Sequence, residues 1–171
     1  EVDFLEIADL NLASTDYWYG CQTVRQGYLT IEALSQDAVN LEITLYDANR
    51  NELGVSTPSD GGERIDWSVE AGQTFYFSVI GDAGDVDLRL ANLVHRDGAG
   101  VSVYGTDGDD RLDFAAAEWH QVTINGVHYE FQASTVSSFG FDGGAGDDTA
   151  VLLGSAGADT AALGPSRATL T

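Results

Sequence analysis

Apolar and polar residues alternate from one end of this chain to the other, and the spacing of an amphipathic helix is almost absent. A period of two places apolar side chains on one face of a β-strand and polar side chains on the other. The sequence therefore predicts an all-β fold. The segments that carry this signal are Tyr28–Leu34, Leu41–Tyr46, Leu53–Ser56, Arg64–Val69, Thr74–Val79 and Val86–Leu90.

Short strands at intervals of roughly 8 to 12 residues, separated by turn residues, favour a β-sandwich. We predict a jelly-roll-like antiparallel β-sandwich over residues 1–97. In one of its strands Ile65, Trp67 and Val69 share the core face, and the opposite face is expected to be polar and solvated. The segment Arg96–Gly100 predicts a joint, after which a second part covers residues 98–171.

The second part contains a strong hairpin signal. Asn125-Gly126 separates the alternating runs Trp119–Ile124 and Val127–Phe131, and Asn-Gly selects a two-residue type I′ turn. This turn places His120 and His128 on opposite faces, so we do not expect the two histidines to share a metal. The predicted pairs are Ile124 with Val127, Thr123 with His128, Val122 with Tyr129 and His120 with Phe131.

Three blocks crowd carboxylates among glycines: Gly105–Leu112, Gly143–Thr149 and Gly154–Thr160. Block starts at 143 and 154, with a further glycine at 164, predict two-strand coils that close every 21 residues. Such coils bury their apolar faces by stacking, which is typical of a parallel β-solenoid. Because the chain opens without methionine and stops inside this pattern, we expect it to be a piece of a longer polypeptide.

The composition of these blocks points to calcium. Glycine permits tight turns, and carboxylate and carbonyl oxygens are the ligands that Ca²⁺ prefers. Asp109-Asp110 and Asp147-Asp148 are the better candidates, because paired carboxylates repel each other unless a cation or water intervenes. Plain Asp-Gly turns without metal are the alternative. The full set of candidate ligands is Asp107, Asp109, Asp110, Asp147, Asp148 and Asp159.

Two resemblances to known families add to this interpretation. Segments in the order Asp16–Tyr19, Gly27–Ile31, Ile43–Asp47, Glu70–Val79 and Gly84–Leu90 make residues 14 to 94 resemble the bacterial pre-peptidase C-terminal domain. The glycine-aspartate blocks resemble degenerate calcium-binding repeats of RTX (haemolysin-type) proteins, with Asp110, Asp148 and Asp159 in the aspartate position. The first resemblance implies a non-catalytic β-sandwich module appended to secreted or surface enzymes, and the second implies calcium binding.

Charge excludes several classes of partner. Arginine supplies all seven basic residues, and 28 acidic residues bring the formal net charge to −21. Such a surface repels phosphate, so we expect neither nucleic acid nor anionic lipid as a partner. The sequence contains no apolar run of about 18 residues, and we expect no membrane insertion. Cys21 is the only cysteine, so it is expected to be a small buried residue outside any intrachain disulfide.

No common catalytic motif occurs: Gly-x-Ser-x-Gly, His-Glu-x-x-His and the phosphate-binding loop with its lysine are all missing. Asp113 and Glu118 are the acidic pair considered for glycoside hydrolysis, and we expect no enzymatic activity. The sequence predicts an accessory, structural module of a larger secreted or cell-surface protein, acting as a spacer or adhesion element. Its expected partners are other domains of the parent polypeptide and an extracellular glycan or surface protein.

A carbohydrate-binding module of a polysaccharide-degrading enzyme is the alternative function. Exposed aromatic side chains stack on the faces of sugars, and the chain has several candidates. They are Tyr17, Trp18, Tyr19, Trp67 and Trp119. Because Trp67 lies between Ile65 and Val69 in an alternating strand, we expect it in the core instead.

Overall fold

The computed structural model describes residues 1–12, 16–35, 40–59, 62–82, 85–164 and 167–170. The predicted all-β class is confirmed, because these residues form seventeen strands and no helix. It follows that no helix suited to crossing a membrane is found in the described ranges. The chain divides into two compact units, Glu1–Asn92 and Leu93–Thr171.

The strands that begin in the first unit are β1 (Phe4–Leu10), β2 (Tyr17–Gln22), β3 (Gly27–Leu34), β4 (Glu42–Tyr46), β5 (Glu52–Val55), β6 (Thr57–Ser59), β7 (Gly62–Val69), β8 (Thr74–Ile80) and β9 (Val86–Asp97). One sheet has the order β2-β8-β4-β5. A second has the order β9-β3-β7-β6, and β1 also pairs with β9. The pairs β1–β9, β2–β8, β3–β7, β4–β5, β4–β8 and β6–β7 are antiparallel.

Apolar side chains from both sheets form the core of this unit. In β8, Phe77 and Val79 have no exposed surface, whereas Tyr76, which leaves the opposite face of the strand, is half-buried. Each fully buried aliphatic or aromatic side chain contributes about 1.5–3 kcal/mol to stability. Trp67, which was expected in the core, is partly buried and packs against it. Other side chains with no exposed surface are Leu29, Ile31, Ile43, Leu45, Val86 and Leu88.

The face of β7 opposite Trp67 is polar, but it is not solvated throughout. Asp66 and Ser68 are exposed, as predicted. Arg64, in contrast, is half-buried and lies opposite Glu32 of β3, which is itself only 7% exposed. The Arg64 guanidinium donates to Glu32 at 2.5 Å and to Asp66 at 2.7 Å. A charged network therefore stands where the alternation predicted contact with water.

Cys21 lies on β2 and packs at the margin of the same core. Burial raises the pKa of its thiol to about 11. The side chain is therefore a neutral thiol at physiological pH, and the thiolate that would react or bind metal is scarcely populated.

The second unit contains the end of β9 and the strands β10 (Gly100–Tyr104), β11 (Arg111–Ala115), β12 (Trp119–Ile124), β13 (Val127–Gln132), β14 (Ser138–Asp142), β15 (Thr149–Leu153), β16 (Ala161–Leu163) and β17 (Arg167–Leu170). The expected joint at Arg96–Gly100 is the turn of an antiparallel β9–β10 hairpin, with Gly100 paired to Asp97. The predicted β12–β13 hairpin is confirmed in all four of its pairs. Asn125 and Gly126 have φ values of 49° and 81°, as a type I′ turn requires.

The second unit contains two pairs of parallel strands. Strand β10 pairs with β14, and β11 pairs with β15. Each residue pairs with the one 38 positions later, as in Gly100 with Ser138 and Arg111 with Thr149. The β12–β13 hairpin lies within this interval, so it is an insertion between two stacked segments.

The 21-residue coils predicted from the second and third blocks do not form in the described residues. On its other edge β14 pairs antiparallel with β17, and β17 pairs antiparallel with β16. The chain reverses between Leu163 and Ala168, which face each other in that pairing. The loop begins at Gly164 and lacks the aspartates of the earlier blocks, so it has the composition of a short hairpin connection. Pro165 and Ser166 lie outside the described residues.

Candidate functional site

The first two glycine-aspartate blocks stack directly on each other. Residues 105–110 connect β10 to β11, and residues 143–148 connect β14 to β15, so the parallel strands place one turn over the other. Backbone hydrogen bonds join the two connections along their length. They run from Gly105 N to Asp142 O at 2.7 Å, from Ala145 N to Thr106 O at 3.3 Å and from Thr149 N to Asp110 O at 2.8 Å.

Glycine is required where the two turns touch. Gly144 and Gly146 have φ values of 83° and 102°, which side-chain-bearing residues rarely adopt. A Cβ atom at Gly144 would collide with the Thr106 carbonyl oxygen, and one at Gly146 would lie 2.5 Å from that of Gly108. The glycines of the second block therefore permit backbone-to-backbone stacking, whether or not a metal is bound.

The aspartate of the first block closes its own turn. Asp110 Oδ2 accepts a hydrogen bond from Thr106 N at 2.7 Å, and the Thr106 hydroxyl lies 3.2 Å from Asp110 Oδ1. Thr106 Oγ1 in turn accepts from Gly108 N at 3.0 Å. Asp110 is only 3% exposed. Its carboxylate thus satisfies backbone and hydroxyl donors inside the turn.

The third block repeats this arrangement. Asp159 Oδ2 accepts from Ser155 N at 2.8 Å, and Ser155 Oγ accepts from Gly157 N at 2.9 Å. Serine and threonine are therefore equivalent at the second position of the turn. Unlike Asp110, Asp159 is exposed, and its turn shows no hydrogen bond to either of the other two turns in the described part of the chain.

Two further aspartates reach across the stack. Asp148 Oδ1 accepts from the backbone N–H of Asp110 at 3.0 Å. Asp109 Oδ1 accepts from the backbone N–H of Asp147 at 2.8 Å. Each turn therefore caps an amide of the other, and the stack is tied by reciprocal carboxylate contacts.

The remaining candidates, Asp107 and the Asp147 side chain, are exposed and accept no hydrogen bond from the described residues. Five carboxylates thus occupy two touching turns, with Asp159 in a separate turn. Arg111 follows the first turn, but its guanidinium binds Asp113 at 2.6 and 2.8 Å. Across the described ranges, no three His, Cys, Asp or Glu side chains are arranged as a ready-made metal site.

Asn125 fixes the inserted hairpin to the stack. Its Nδ2 donates to Asp110 Oδ1 at 2.5 Å, and its Oδ1 accepts from Arg111 N at 3.0 Å. One residue therefore supplies both the left-handed turn conformation and a clamp on the buried carboxylate. The sequence identified the turn from Asn125-Gly126 but not the clamp.

We expect Asn125→Gly to lower the free energy of unfolding by about 1.5–2 kcal/mol, because the buried Asp110 carboxylate loses a donor while the turn keeps its preferred conformation. Asn125→Asp should cost more, since it sets a second carboxylate against Asp110. Urea unfolding of the two variants measures both effects. Equal stability of Asn125→Gly and the wild type would show that the clamp is unimportant.

The two hairpin histidines lie on opposite faces, as predicted. The His120 ring packs against Phe114 and Phe139, with centroids 5.8 and 5.2 Å away, and its Nδ1 is buried with no hydrogen-bond partner among the residues that the structure describes. His128 is exposed, with Nδ1 lying 3.1 Å from Thr123 Oγ1. This separation does not bring the rings together as ligands of one ion.

The acidic pair considered for hydrolysis also separates into different surroundings. Asp113 accepts two hydrogen bonds from Arg111, whereas Glu118 is exposed in the turn between β11 and β12. No hydrogen bond or ion pair between the two is found in the described residues. The Asp113 carboxylate is therefore engaged by a guanidinium, whereas the Glu118 side chain is exposed to solvent.

The aromatic candidates divide into core and surface groups. Tyr17, Tyr19 and Trp67 are partly buried against the core of the first unit. Trp18 is 55% exposed and Trp119 is 49% exposed. Among the described residues, Trp119 has no stacked or edge-on ring neighbour, whereas Trp18 stacks on Tyr46 with centroids 5.1 Å apart. Trp18 is therefore the better-placed surface aromatic.

Comparison with known proteins identifies no family. No protein-family model matches the sequence, and no curated protein matches it. The chain is similar to the crystal structure of the pre-peptidase C-terminal domain of the collagenase from Bacillus anthracis, at 14% identity and a TM-score of 0.40. The match covers 52% of this chain and 85% of that domain. It transfers no ligand or activity to this chain.

Proposed function

We propose that this chain is a non-catalytic accessory module of a larger secreted or cell-surface protein, in which it acts as a spacer or adhesion element. The observation that carries the proposal is the stack of two turns on parallel strand pairs. In such a stack each segment depends on its neighbour for backbone and side-chain partners, which is the construction of repeat scaffolds. In this proposal the stack is the first rung of a parallel β-solenoid, and it follows a jelly-roll-like sandwich.

Calcium rigidifies the stacked turns in this proposal. The support is electrostatic: five carboxylates lie in two touching turns, and the guanidinium of Arg111, which follows the first turn in the sequence, is engaged by Asp113. Both carboxylate oxygens of Asp110 and of Asp159 lie within hydrogen-bond distance of donors, and Asp148 is half-buried with one oxygen bonded to Asp110 N. The proposal therefore places the ion on the exposed carboxylates. Asp107 and Asp147 accept no hydrogen bond from the described residues, and Asp109 uses only Oδ1, to accept from Asp147 N. Their free oxygens and the turn carbonyls provide hard ligands.

Thermal unfolding in millimolar calcium and in chelator tests this assignment. At a calcium concentration 100 times the dissociation constant, we expect a stabilisation of about 2.7 kcal/mol. Asp109→Asn combined with Asp147→Asn should abolish the increase in Tm. Asp97→Asn, which removes an exposed carboxylate away from the turns, should retain it. Identical melting temperatures of the wild type in calcium and in chelator would refute calcium binding and leave a metal-free structural module.

An extracellular or cell-surface location fits the charge of the chain. A net charge of −21 with arginine as the only basic residue keeps a protein soluble where salt or divalent cations screen the repulsion. The partners proposed are other domains of the parent polypeptide, with a surface protein or glycan as the external ligand.

A carbohydrate-binding module is the second candidate function. The observation that favours it is the exposed Trp18 ring, which stacks on Tyr46 at the surface of the first unit. Large exposed aromatic side chains away from a core are typical of binding surfaces. Binding of a glycan by the purified chain tests this function.

A further inference from the structure

One face of the β2-β8-β4-β5 sheet carries an aromatic strip. Strand register places Gly20, Tyr76 and Tyr46 side by side across β2, β8 and β4. Trp18 lies two residues before Gly20, so it leaves the same face. The opposite face of these strands carries core residues such as Phe77 and Leu45. The strip is therefore the outer surface of the sheet.

Trp18 and Tyr46 form the rim of this strip. Their rings stack with centroids 5.1 Å apart and planes 29° apart, although Trp18 is 55% exposed. Ser78 lies next to Trp18 in the register and is only 6% exposed. The two rings thus form a supported platform, because one face of the indole is held while much of its surface stays open to solvent.

Gly20 makes room for the neighbouring ring. A Cβ atom at this position would lie 3.1 Å from Tyr76 Cε1. Glycine weakens a strand interior, and its presence there often marks a close approach of another group. Here the close group is the Tyr76 ring, which lies against the backbone of β2 at Gly20, beside Trp18.

Arg50 extends over the Tyr76 ring from the loop between β4 and β5. Its φ of 63° is uncommon for a residue with a side chain. The loop is held by Asp47, whose carboxylate accepts from Asn49 N and Asn51 N at 2.8 Å each. The Arg50 guanidinium lies 5.4 Å from the centroid of the Tyr76 ring.

The guanidinium groups of six of the seven arginines have hydrogen-bond or carboxylate partners, whereas for that of Arg50 the described residues show only the ring of Tyr76. The guanidinium N–H donors of Arg50 are therefore available in a chain with 28 acidic residues. An open cleft of about 430 Å³ lies against these donors. It is lined by Trp18, Tyr19, Gly20, Arg50 and Tyr76.

We propose that this cleft binds a neutral polysaccharide, an inference that rests on the second function proposed above. The apolar face of a sugar ring stacks on Trp18, and its hydroxyl groups accept hydrogen bonds from Arg50. A neutral chain is favoured over a polyanion, because the net charge of −21 repels extended anionic ligands. The open shape of the cleft suits an internal segment of a long chain.

Isothermal titration of the purified chain with neutral hexasaccharides tests the site, using cellohexaose, laminarihexaose, xylohexaose and mannohexaose as probes and polygalacturonate as the acidic comparison. We expect at least one neutral probe to bind. Trp18→Ala should weaken that binding at least about tenfold, since it removes the stacking surface. Arg50→Gly, which suits the left-handed backbone, should weaken it several-fold.

Trp119→Ala is the matched control, because it removes a similarly exposed tryptophan from the second unit and should leave binding unchanged. Near-ultraviolet circular dichroism verifies that each variant is folded. If binding survives Trp18→Ala but is lost in Trp119→Ala, the chain still binds carbohydrate, but not at the proposed cleft, and this site is overturned. Tighter binding of polygalacturonate than of every neutral probe would overturn the ligand class, and no binding of any probe would overturn both the site and the second function.

Discussion

Replacing Arg64 with alanine lowers the free energy of unfolding by about 3–5 kcal/mol, which is the effect expected when a buried ion pair loses one partner. Arg64 is bonded to Glu32 at 2.5 Å, and the exposed fractions of the two side chains are 16% and 9%. Without the guanidinium, Glu32 is left as an uncompensated charge between two strands. Asp66 also loses the guanidinium, but it keeps the hydrogen bond from Thr30 Oγ1 at 2.7 Å, and it is more exposed and can be hydrated.

Arg167→Ala provides the comparison for this variant in urea unfolding. Arg167 binds Asp142 at 2.7 Å, but the exposed fractions of those side chains are 67% and 35%, so its removal should have little effect. The double variant Glu32→Leu with Arg64→Leu should recover much of the lost stability, because no charge is left buried. If Arg64→Ala is no more harmful than Arg167→Ala, the network is not a determinant of stability.

A second large effect is expected at the turn stack, where Gly146→Ala should cost about 3 kcal/mol. The φ of 102° lies outside the conformations that alanine adopts easily, and the new Cβ would meet the Gly108 carbonyl oxygen at 2.5 Å. Because the obstructing atom belongs to the backbone, it cannot move aside without separating the two turns.

Gly108→Ala is the matched control, since Gly108 holds the same place in the first block. Among the described atoms, a Cβ there would meet Thr106 Oγ1 alone, at an ordinary distance of 3.6 Å. We therefore expect a small change, measured as the free energy of unfolding in urea and as amide hydrogen exchange at Ala145 and Thr149. Equal losses in the two variants would mean that backbone stacking does not determine the need for glycine.

Alternation predicted most strands of the first unit because those strands have one face in the core. Strand β1 was missed because it does not have one buried and one exposed face. Its exposure pattern does not alternate, and Leu5 is 43% exposed. Strand β9 runs to Asp97, beyond the predicted end at Leu90, because residues 91–94 are buried on both faces and show no period of two. A period of two identifies strands with one buried and one exposed face, but it does not identify strands that are mostly exposed or strands that are buried on both faces.

The sequence predicted which residues form the turns of the candidate site, but not which of these turns stack on each other. The sequence indicated tight turns at the glycine-aspartate blocks, and these turns exist. It grouped the wrong segments, however, because the spacing of the glycines predicted coils that close every 21 residues, whereas the segments that stack lie 38 residues apart. The 38-residue offset cannot be recognised in the sequence, because the inserted β12–β13 hairpin separates the two stacked segments and the offset is not repeated elsewhere in the described part of the chain. The clamp by Asn125 and the placement of Arg50 over Tyr76 depend on tertiary contacts that no local pattern encodes.

The inserted hairpin also bears on how the chain finds its fold. The stacked turns lie 38 residues apart, and bringing such distant segments together costs entropy that grows with the length of the free loop. A closed β12–β13 hairpin leaves only Ala116–Glu118 and Ala133–Ser137 as free connections. Shortening the loop in this way saves about 1 kcal/mol of closure entropy. We therefore expect the hairpin at the Asn-Gly turn to form first and to keep the two segments that stack close together in space.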